Sequence, residues 1–235
     1  MLIIFARQSA TGAELIRGRD IALFSDEPYC HMVWAGQHET PLAQPGMLAQ
    51  TVAVYTFSKS YSMSGWRLGY AVCDAPVAEV LSKMINTSLS CVPPLVQAAG
   101  QAALEHDGAE RDEVMGCFRK KVELLVGALR EVPEVHVLMP AGTFYAFPDV
   151  SVICRRLGIT SHGLAMYLLE GADEHKGVAC LGGECFGPAG QGFLRFSCAE
   201  PDERLVEAVD FLREAVTREE RARRYLERHP KYRLS

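Results

Sequence analysis

The residues best suited to chemistry sit just past two short apolar runs. Residues 21–24, Ile-Ala-Leu-Phe, lead into Ser25, Asp26, Glu27, Pro28 and Tyr29. Residues 51–57, Thr-Val-Ala-Val-Tyr-Thr-Phe, lead into Ser58, Lys59 and Ser60. Nearly continuous apolar runs rich in β-branched and aromatic residues read as buried strands of a parallel sheet. In an open parallel α/β sheet, ligands gather beyond the carboxyl ends of the strands. Asp26, Tyr29 and Lys59 can therefore converge on one crevice, although Lys59 lies 33 residues beyond Asp26 and 30 beyond Tyr29. A lysine directly after a buried strand stands where desolvation can lower its pKa and make it a nucleophilic amine. Composition alone weighs the other way, toward a solvated lysine in a polar turn. A second cation, Arg195, is flanked by Phe193, Leu194 and Phe196. An unpaired charge among such neighbours is costly, so Arg195 reads as a residue with an anionic partner rather than a strand-edge surface arginine.

Several elements must position these groups. Residues 14–19 look like a helix end closed by Gly18, and residues 70–73 like another short strand. Val77, Val80 and Leu81 give residues 76–83 a helical spacing. Pro93 and Pro94 interrupt the pattern, and the Ala-rich residues 95–105 suggest a helix. Val114, Phe118, Val122, Leu125 and Leu129 make residues 110–131 a long amphipathic helix, placed to bridge two domains. Residues 135–139, 142–147 and 192–197 then read as strands of a smaller α+β unit, with helices at 158–170 and 202–216. Asp202 stands at an N-cap position after Pro201. The charged residues 219–233 read as a solvated helix face rather than a binding patch. The domain division this implies is residues 1–105 and 106–235.

A chain of 235 residues can bury a substantial core, as one large domain or two small ones. With 49% apolar and 23% charged residues it has an ordinary globular balance. Its net charge of −5 argues against general nucleic-acid binding. No apolar run approaches the length needed to span a bilayer. Residues 1–6 are strand-like and apolar, but the run is short and Arg7 follows it, the reverse of a secretory signal. The expectation is a soluble, cytoplasmic protein. The eight cysteines contain no Cys-x-x-Cys spacing, and the seven histidines are scattered. No metal site is expected, and the cysteines read as reduced, mostly buried thiols.

The segment from Ser58 to Tyr70, Ser-Lys-Ser-Tyr-Ser-Met-Ser-Gly-Trp-Arg-Leu-Gly-Tyr, resembles the lysine motif of class I/II aminotransferases. These are pyridoxal 5′-phosphate (PLP) enzymes of fold type I. Three further segments resemble the family in the same order. They are Ser25 to Tyr29, Gly142 to Pro148 (Gly-Thr-Phe-Tyr-Ala-Phe-Pro), and Gly187 to Ser197, which ends Gly-Phe-Leu-Arg-Phe-Ser. The resemblance spans about residues 14–216. It implies an α/β fold: part of a large PLP-binding domain with a mostly parallel sheet and helices (1–105), then a smaller α+β domain (106–235). It also implies roles. Lys59 would carry the cofactor covalently and shuttle a proton once an amino substrate displaces it. Asp26 would accept from the pyridinium nitrogen and keep it protonated. Tyr29 would donate to the 3′-oxygen. Arg67 would pair with the phosphate, with Ser58 and, less strongly, Thr56 as hydroxyl donors. Arg195 would grip the substrate α-carboxylate. Trp66 reads as packing near the site, and Gly187, Gly190 and Gly192 as a turn.

Family chains extend much further on the amino-terminal side. That region supplies a phosphate-binding glycine turn, a ring-stacking aromatic residue, an Asn-Pro segment and a tyrosine for the neighbouring subunit. None is found here, and residues 1–9 match no family segment. The chain resembles the carboxy-terminal portion of such an enzyme. The implied reaction is amino transfer between an L-amino acid and a 2-oxo acid, in a homodimer without nucleic-acid or membrane partners. Two other readings stay open: a PLP-dependent C–S lyase on the same fold, and a non-catalytic remnant acting through protein association.

Overall fold

The two apolar runs do become neighbouring strands. The computed structural model describes residues 6–234, with side chains from residue 11 onward. Strand β1 (Leu23–Asp26) pairs in parallel with β2 (Thr51–Thr56), so that Leu23 faces Thr51 and Asp26 faces Val54. Strand β3 (Gly69–Val72) lies antiparallel on the other side of β2, with Gly69 opposite Thr56. A parallel return needs a crossover of a dozen or more residues, usually a helix. Residues 57–68 offer only one short 3₁₀ turn, so β3 comes back antiparallel. Thr51, Val52 and Ala53 are buried, whereas all four residues of β3 are exposed.

The strand-like reading of residues 1–6 falls mostly on residues 1–5, outside the described residues. Ala6 is the first residue of a helix, α1 (Ala6–Ile16). Gln50 closes that helix: its Nε2 donates to the carbonyls of Ile16 (3.3 Å), Arg19 (2.7 Å) and Ile21 (3.2 Å). Ile16 is the last residue of the helix, and Arg19 and Ile21 lie in the turn that follows it. The connection from β1 to β2 holds only two 3₁₀ turns, Pro41–Ala43 and Leu48–Gln50, and buries its own Met32 and Met47. Helix α2 (Ala75–Leu89) starts at an Asp74 cap whose carboxylate accepts from the Ala75 amide at 2.9 Å. It buries no residue, and α3 (Pro94–Glu105) buries only Gly100.

Helix α4 (Ala109–Arg130) carries Glu110 and Asp112 in its first turn and Arg130 in its last, complementing the helix dipole. Two compact units part within it. The first is Met1–Gly116 with Ala141–Thr143, and the second is Cys117–Pro140 with Phe144–Ser235. The tripeptide 141–143 joins the first unit through Trp34, whose amide donates to the Ala141 carbonyl at 2.8 Å and whose indole donates to the Thr143 carbonyl at 2.7 Å.

The second unit has a three-stranded antiparallel sheet in the order β4 (Tyr145–Ala146), β6 (Leu194–Ser197), β5 (Leu181–Gly182). Its core includes Leu125 and Leu129 of α4, Ile153 of α5 (Ser151–Leu157), Leu164 of α6 (Ser161–Met166), and Leu212 of α7 (Asp202–Ala215). Several local expectations change here. Residues 135–139 form no strand: they make the single bridge His136–Asp149, because Asp149 pairs onward with Phe193. The expected helix over 158–170 begins later. Gly158, at φ +66°, terminates α5, and Thr160 caps α6 by accepting from the Gly163 amide at 3.0 Å. Residues Tyr167–Gly171 then widen into a π-turn. Asp202 is the first helical residue rather than the cap, and its carboxylate instead pairs with Lys121 at 2.6 Å. Helix α8 (Glu219–Arg228) buries Ala222, Tyr225 and Leu226, so the charged stretch has a seated face as well as a solvated one.

Among the described residues, no helix is long and apolar enough to cross a membrane, and no group of three or more His, Cys, Asp or Glu is placed to hold a metal ion. All eight thiols are free. Only Cys154 and Cys198 are buried, while Cys91, Cys117 and Cys185 are exposed, so the expected burial of most thiols does not hold. Burial pushes the Cys154 thiol up to about 12 and Cys198 to about 11.

Candidate functional site

The first unit carries six of the seven residues singled out from the sequence. Asp26 ends β1 with its side chain exposed, between buried Ser25 and Glu27. That alternation is the period-two rule of a strand: one face is rooted in protein and the other open to a ligand. Tyr29 follows in the turn beyond the strand, where its carbonyl accepts from the Met32 amide at 2.9 Å. Lys59 follows β2, half-buried, with Nζ 5.9 Å from the centroid of the Tyr29 ring. The strand ends thus bring an amine against a phenol, with a carboxylate at the tip of the neighbouring strand.

The loop from Lys59 to Arg67 is tightly tied. Its ends are closed by Phe57 N–H donating to the Leu68 carbonyl (3.2 Å) and Met63 N–H to the Phe57 carbonyl (3.2 Å). Ser62 and Arg67 both hold the left-handed conformation, at φ +54° and +53°. That conformation costs non-glycine residues roughly 1–2 kcal/mol each, so the surrounding contacts must impose it. Aromatic packing helps: Tyr55 stacks on Tyr70 at 5.1 Å, and Phe57 meets Tyr61 at 5.3 Å. Tyr61 is pushed up to about 12 by burial and by its hydrogen bond to Asp107, which keeps it a neutral donor.

Thr56 is already engaged. Its hydroxyl accepts from the Ser58 amide at 3.1 Å and lies 3.5 Å from the Leu68 carbonyl, so it shapes the turn. Ser58 is half-buried at the head of the loop. Arg67 is exposed and spends one nitrogen on the Ser64 carbonyl at 2.8 Å, leaving the rest of its fork for an anion. Trp66 is 47% exposed, so it does not pack into the unit as expected.

Glu27 is the functional candidate that sequence reasoning missed. It is 5% exposed, yet Oε2 lies 2.5 Å from His38 Nε2 and Oε1 accepts from the Thr40 hydroxyl at 2.6 Å. Burial works to raise its pKa. Hydrogen bonds from His38, Thr40 and Ser25, with the His38 charge, outweigh it and hold the carboxyl below its usual value. Strand alternation beside Asp26 was the signal that could have found it.

Arg195 belongs to the second unit. It sits on β6 between buried Leu194 and Phe196, opposite Leu181. Its guanidinium lies 4.3 Å from the Tyr145 ring centroid and 4.5 Å from that of Phe186. The two ring faces stabilise the charge and fix the plane of the fork, whose N–H donors point outward in that plane. Gly187 (φ +111°) and Gly192 (φ +86°) form the expected turn ahead of β6. Gly190 is required there by proximity, since a Cβ on it would lie 2.0 Å from the Gly183 carbonyl oxygen.

The donor set of the first unit is a lysine amine, a carboxylate, a phenol, a serine hydroxyl and a guanidinium. It suits a planar, aldehyde-bearing, phosphorylated ring with a basic nitrogen. The known proteins that the chain resembles include aminotransferases. The sequence profile of aminotransferase class I and II matches residues 9–212. An arginine–pyruvate transaminase of Pseudomonas aeruginosa is 32% identical over 83% of this chain and 48% of its own length. An aspartate aminotransferase of Pyrococcus horikoshii is 30% identical over 88% of this chain and 51% of its own. Among solved structures, an aromatic aminotransferase from Pyrococcus horikoshii superposes with a TM-score of 0.81 at 26% identity, covering 93% of this chain and 57% of that one. A double mutant of Thermus thermophilus aspartate aminotransferase gives 0.76 at 27% identity, with 89% and 52% covered. The chain spans about half the length of the curated relatives it matches.

Proposed function

The chain belongs to the class I and II aminotransferases, and from that premise we propose that it binds PLP and serves amino-group transfer between an L-amino acid and a 2-oxo acid. The observation that carries this reading is the meeting of Lys59 with Tyr29, one strand over from Asp26, at the carboxyl ends of two adjacent parallel strands. Residues 1–116 would be the remainder of the cofactor-binding large domain, and the second unit the small domain. The donor set fits the cofactor group by group. Lys59 would bind its carbonyl carbon, Asp26 its ring nitrogen and Tyr29 its phenolic oxygen. Ser58 and Arg67 would bind its phosphate. Thr56 supports the Ser58 turn.

When bound, PLP supplies an electron sink that makes the substrate Cα–H acidic. The chain's own residues do the rest. The negative charge of Asp26 favours a protonated partner nitrogen. Lys59, with its amine free, would be the base that takes the substrate Cα proton and delivers it to the cofactor's carbonyl carbon. The ring-stacked Arg195 fork holds a carboxylate by two parallel N–H···O bonds, which orients the substrate. Eight free thiols suit a reducing, cytoplasmic setting. Exposed apolar side chains on the first unit, among them Phe24, Leu89 and Leu95, suit association, in the simplest case as a homodimer.

The test is spectroscopic. Purified chain mixed with PLP should develop the visible band of a lysine-bound cofactor, and Lys59→Ala should abolish it while keeping the far-UV spectrum. A folded chain without such a band would overturn the reading. With the band present, amino acids should yield 2-oxo acids and an aminated cofactor. Pyruvate release from a β-substituted amino acid would point instead to the lyase.

A further inference from the structure

Next to the residues assigned to the cofactor stands a buried carboxylate that the reaction does not use. Glu27 lies between Asp26 and Tyr29 in sequence, and its side chain points to the opposite face from that of Asp26. Its amide donates to the Val54 carbonyl at 2.9 Å, so the β1–β2 ladder continues one residue past Asp26. Both carboxylate oxygens are taken by one loop, Oε2 by His38 and Oε1 by Thr40. Thr40 also accepts from the Leu42 amide at 3.3 Å and caps the 3₁₀ turn Pro41–Ala43, which fixes its hydroxyl. Cys30 and Tyr55 are the other titratable groups facing Glu27, and both are held in their neutral forms by burial, with the Glu27 charge adding to the effect.

We propose that Glu27, clamped by His38 and Thr40, is the positioning residue for the Asp26–Tyr29 segment, fixing the direction of the Asp26 carboxylate and the Tyr29 phenol. This rests on the cofactor reading above. The physical reason is lever-like. Among the described residues, Asp26 ends a strand that pairs with β2 alone, so ladder hydrogen bonds on one side leave the tip free to fray. A buried carboxylate with two charge-assisted hydrogen bonds anchors the next residue from the protein side. Adjacent Cα atoms are about 3.8 Å apart, so whatever fixes Glu27 fixes the backbone of Asp26.

Two variants test this, Glu27→Gln and Thr40→Val, with Thr40→Ser as the conservative control. Hydrogen–deuterium exchange is read without cofactor. The expected result is faster exchange at the amides of Asp26, Glu27 and Tyr29, about tenfold or more, with residues 52–56 of β2 unchanged and Thr40→Ser like the wild type. With PLP added, both variants should weaken uptake by about tenfold and move the pH midpoint of the lysine-bound band, a signature that a purely structural brace would leave in place. Wild-type exchange at those three amides in folded Glu27→Gln and Thr40→Val would overturn the proposal. So would an unmoved band midpoint in both. If the wild type shows no Lys59-dependent band, the cofactor reading fails, and the exchange arm still decides whether Glu27 holds the segment. Should Glu27→Gln not fold, Thr40→Val, which keeps the carboxylate and the side-chain volume, carries the decision.

Discussion

Arg195 gives the sharpest quantitative expectation. Its guanidinium carbon lies over the rings of Tyr145 and Phe186, 4.3 and 4.5 Å from their centroids. A planar, pre-oriented guanidinium donates two parallel hydrogen bonds to a carboxylate, each worth about 1.5–3 kcal/mol when charged. Bonds made by one group are not additive, so about 3 kcal/mol is a reasonable joint value, or roughly 150-fold in affinity. The assay compares an amino acid with its carboxamide on PLP-loaded protein, for the wild type and Arg195→Ala. The wild type should prefer the carboxylate by about two orders of magnitude. Arg195→Ala should lose that preference while binding the carboxamide nearly as before. Phe186→Leu removes one ring face, worth about 0.5–1 kcal/mol, and should erode the preference only several-fold. A full preference surviving in Arg195→Ala would refute the assignment.

Two other outcomes follow from the geometry of the first unit. Gly69→Ala would place a Cβ 2.6 Å from the Tyr55 carbonyl oxygen, forcing β3 away from β2. It should cost about 1–3 kcal/mol in denaturant unfolding and loosen the Lys59–Arg67 loop, and an unchanged midpoint would contradict the register of Gly69 opposite Thr56. The Glu27 carboxyl is depressed in the folded chain, so its stabilisation is complete above the unfolded carboxylate pKa of about 4.3 and fades as pH falls through the lower folded value. Acid unfolding should therefore begin at higher pH in the wild type than in Glu27→Gln, measured from each protein's own neutral-pH stability.

Much of this was legible because the relevant signals are local. The run Thr-Val-Ala-Val-Tyr-Thr is β-branched and aromatic, and it forms β2. The four-four-three-four apolar spacing from Val114 to Leu129 predicts α4 to within a residue or so at either end. Lys59 and Asp26 were legible through a topological rule about strand ends. The failures are elements defined by their partners. Strand β5 is only Leu181–Gly182 and exists because β6 pairs with it. Residues 135–139 alternate like a strand, but Asp149 divides its edges between His136 and Phe193, leaving one bridge. Helix α5 is seven residues with a β-branched pair, below the length at which periodicity speaks. Phe186 lies nine residues from Arg195, and nothing in their spacing announces that one ring covers the other's charge. Glu27 was passed over because a charged residue on a strand end reads as solvated until its two donors are known.

The two units differ in a way that bears directly on the chemistry. The second buries apolar side chains from α4, α5, α6, α7 and α8. The first buries none of α2 and exposes Phe24 (71%), Leu89 (71%) and Leu95 (76%), yet it carries Lys59, Asp26 and Tyr29. A helix of that length without a packed face is marginal in water, and among the described residues β3 pairs with β2 alone. The measured affinity of a ligand is its intrinsic affinity multiplied by the fraction of molecules already in the binding shape. Under the proposed function, cofactor affinity would be set by two separable terms: the donor set and the ordering of the unit that presents it. Each tenfold gain in the ordered fraction by covering those apolar side chains would tighten PLP tenfold without a new contact to the cofactor. Glu27 acts on the same term from inside, since its two hydrogen bonds order the strand tip that the exposed surface leaves unsupported.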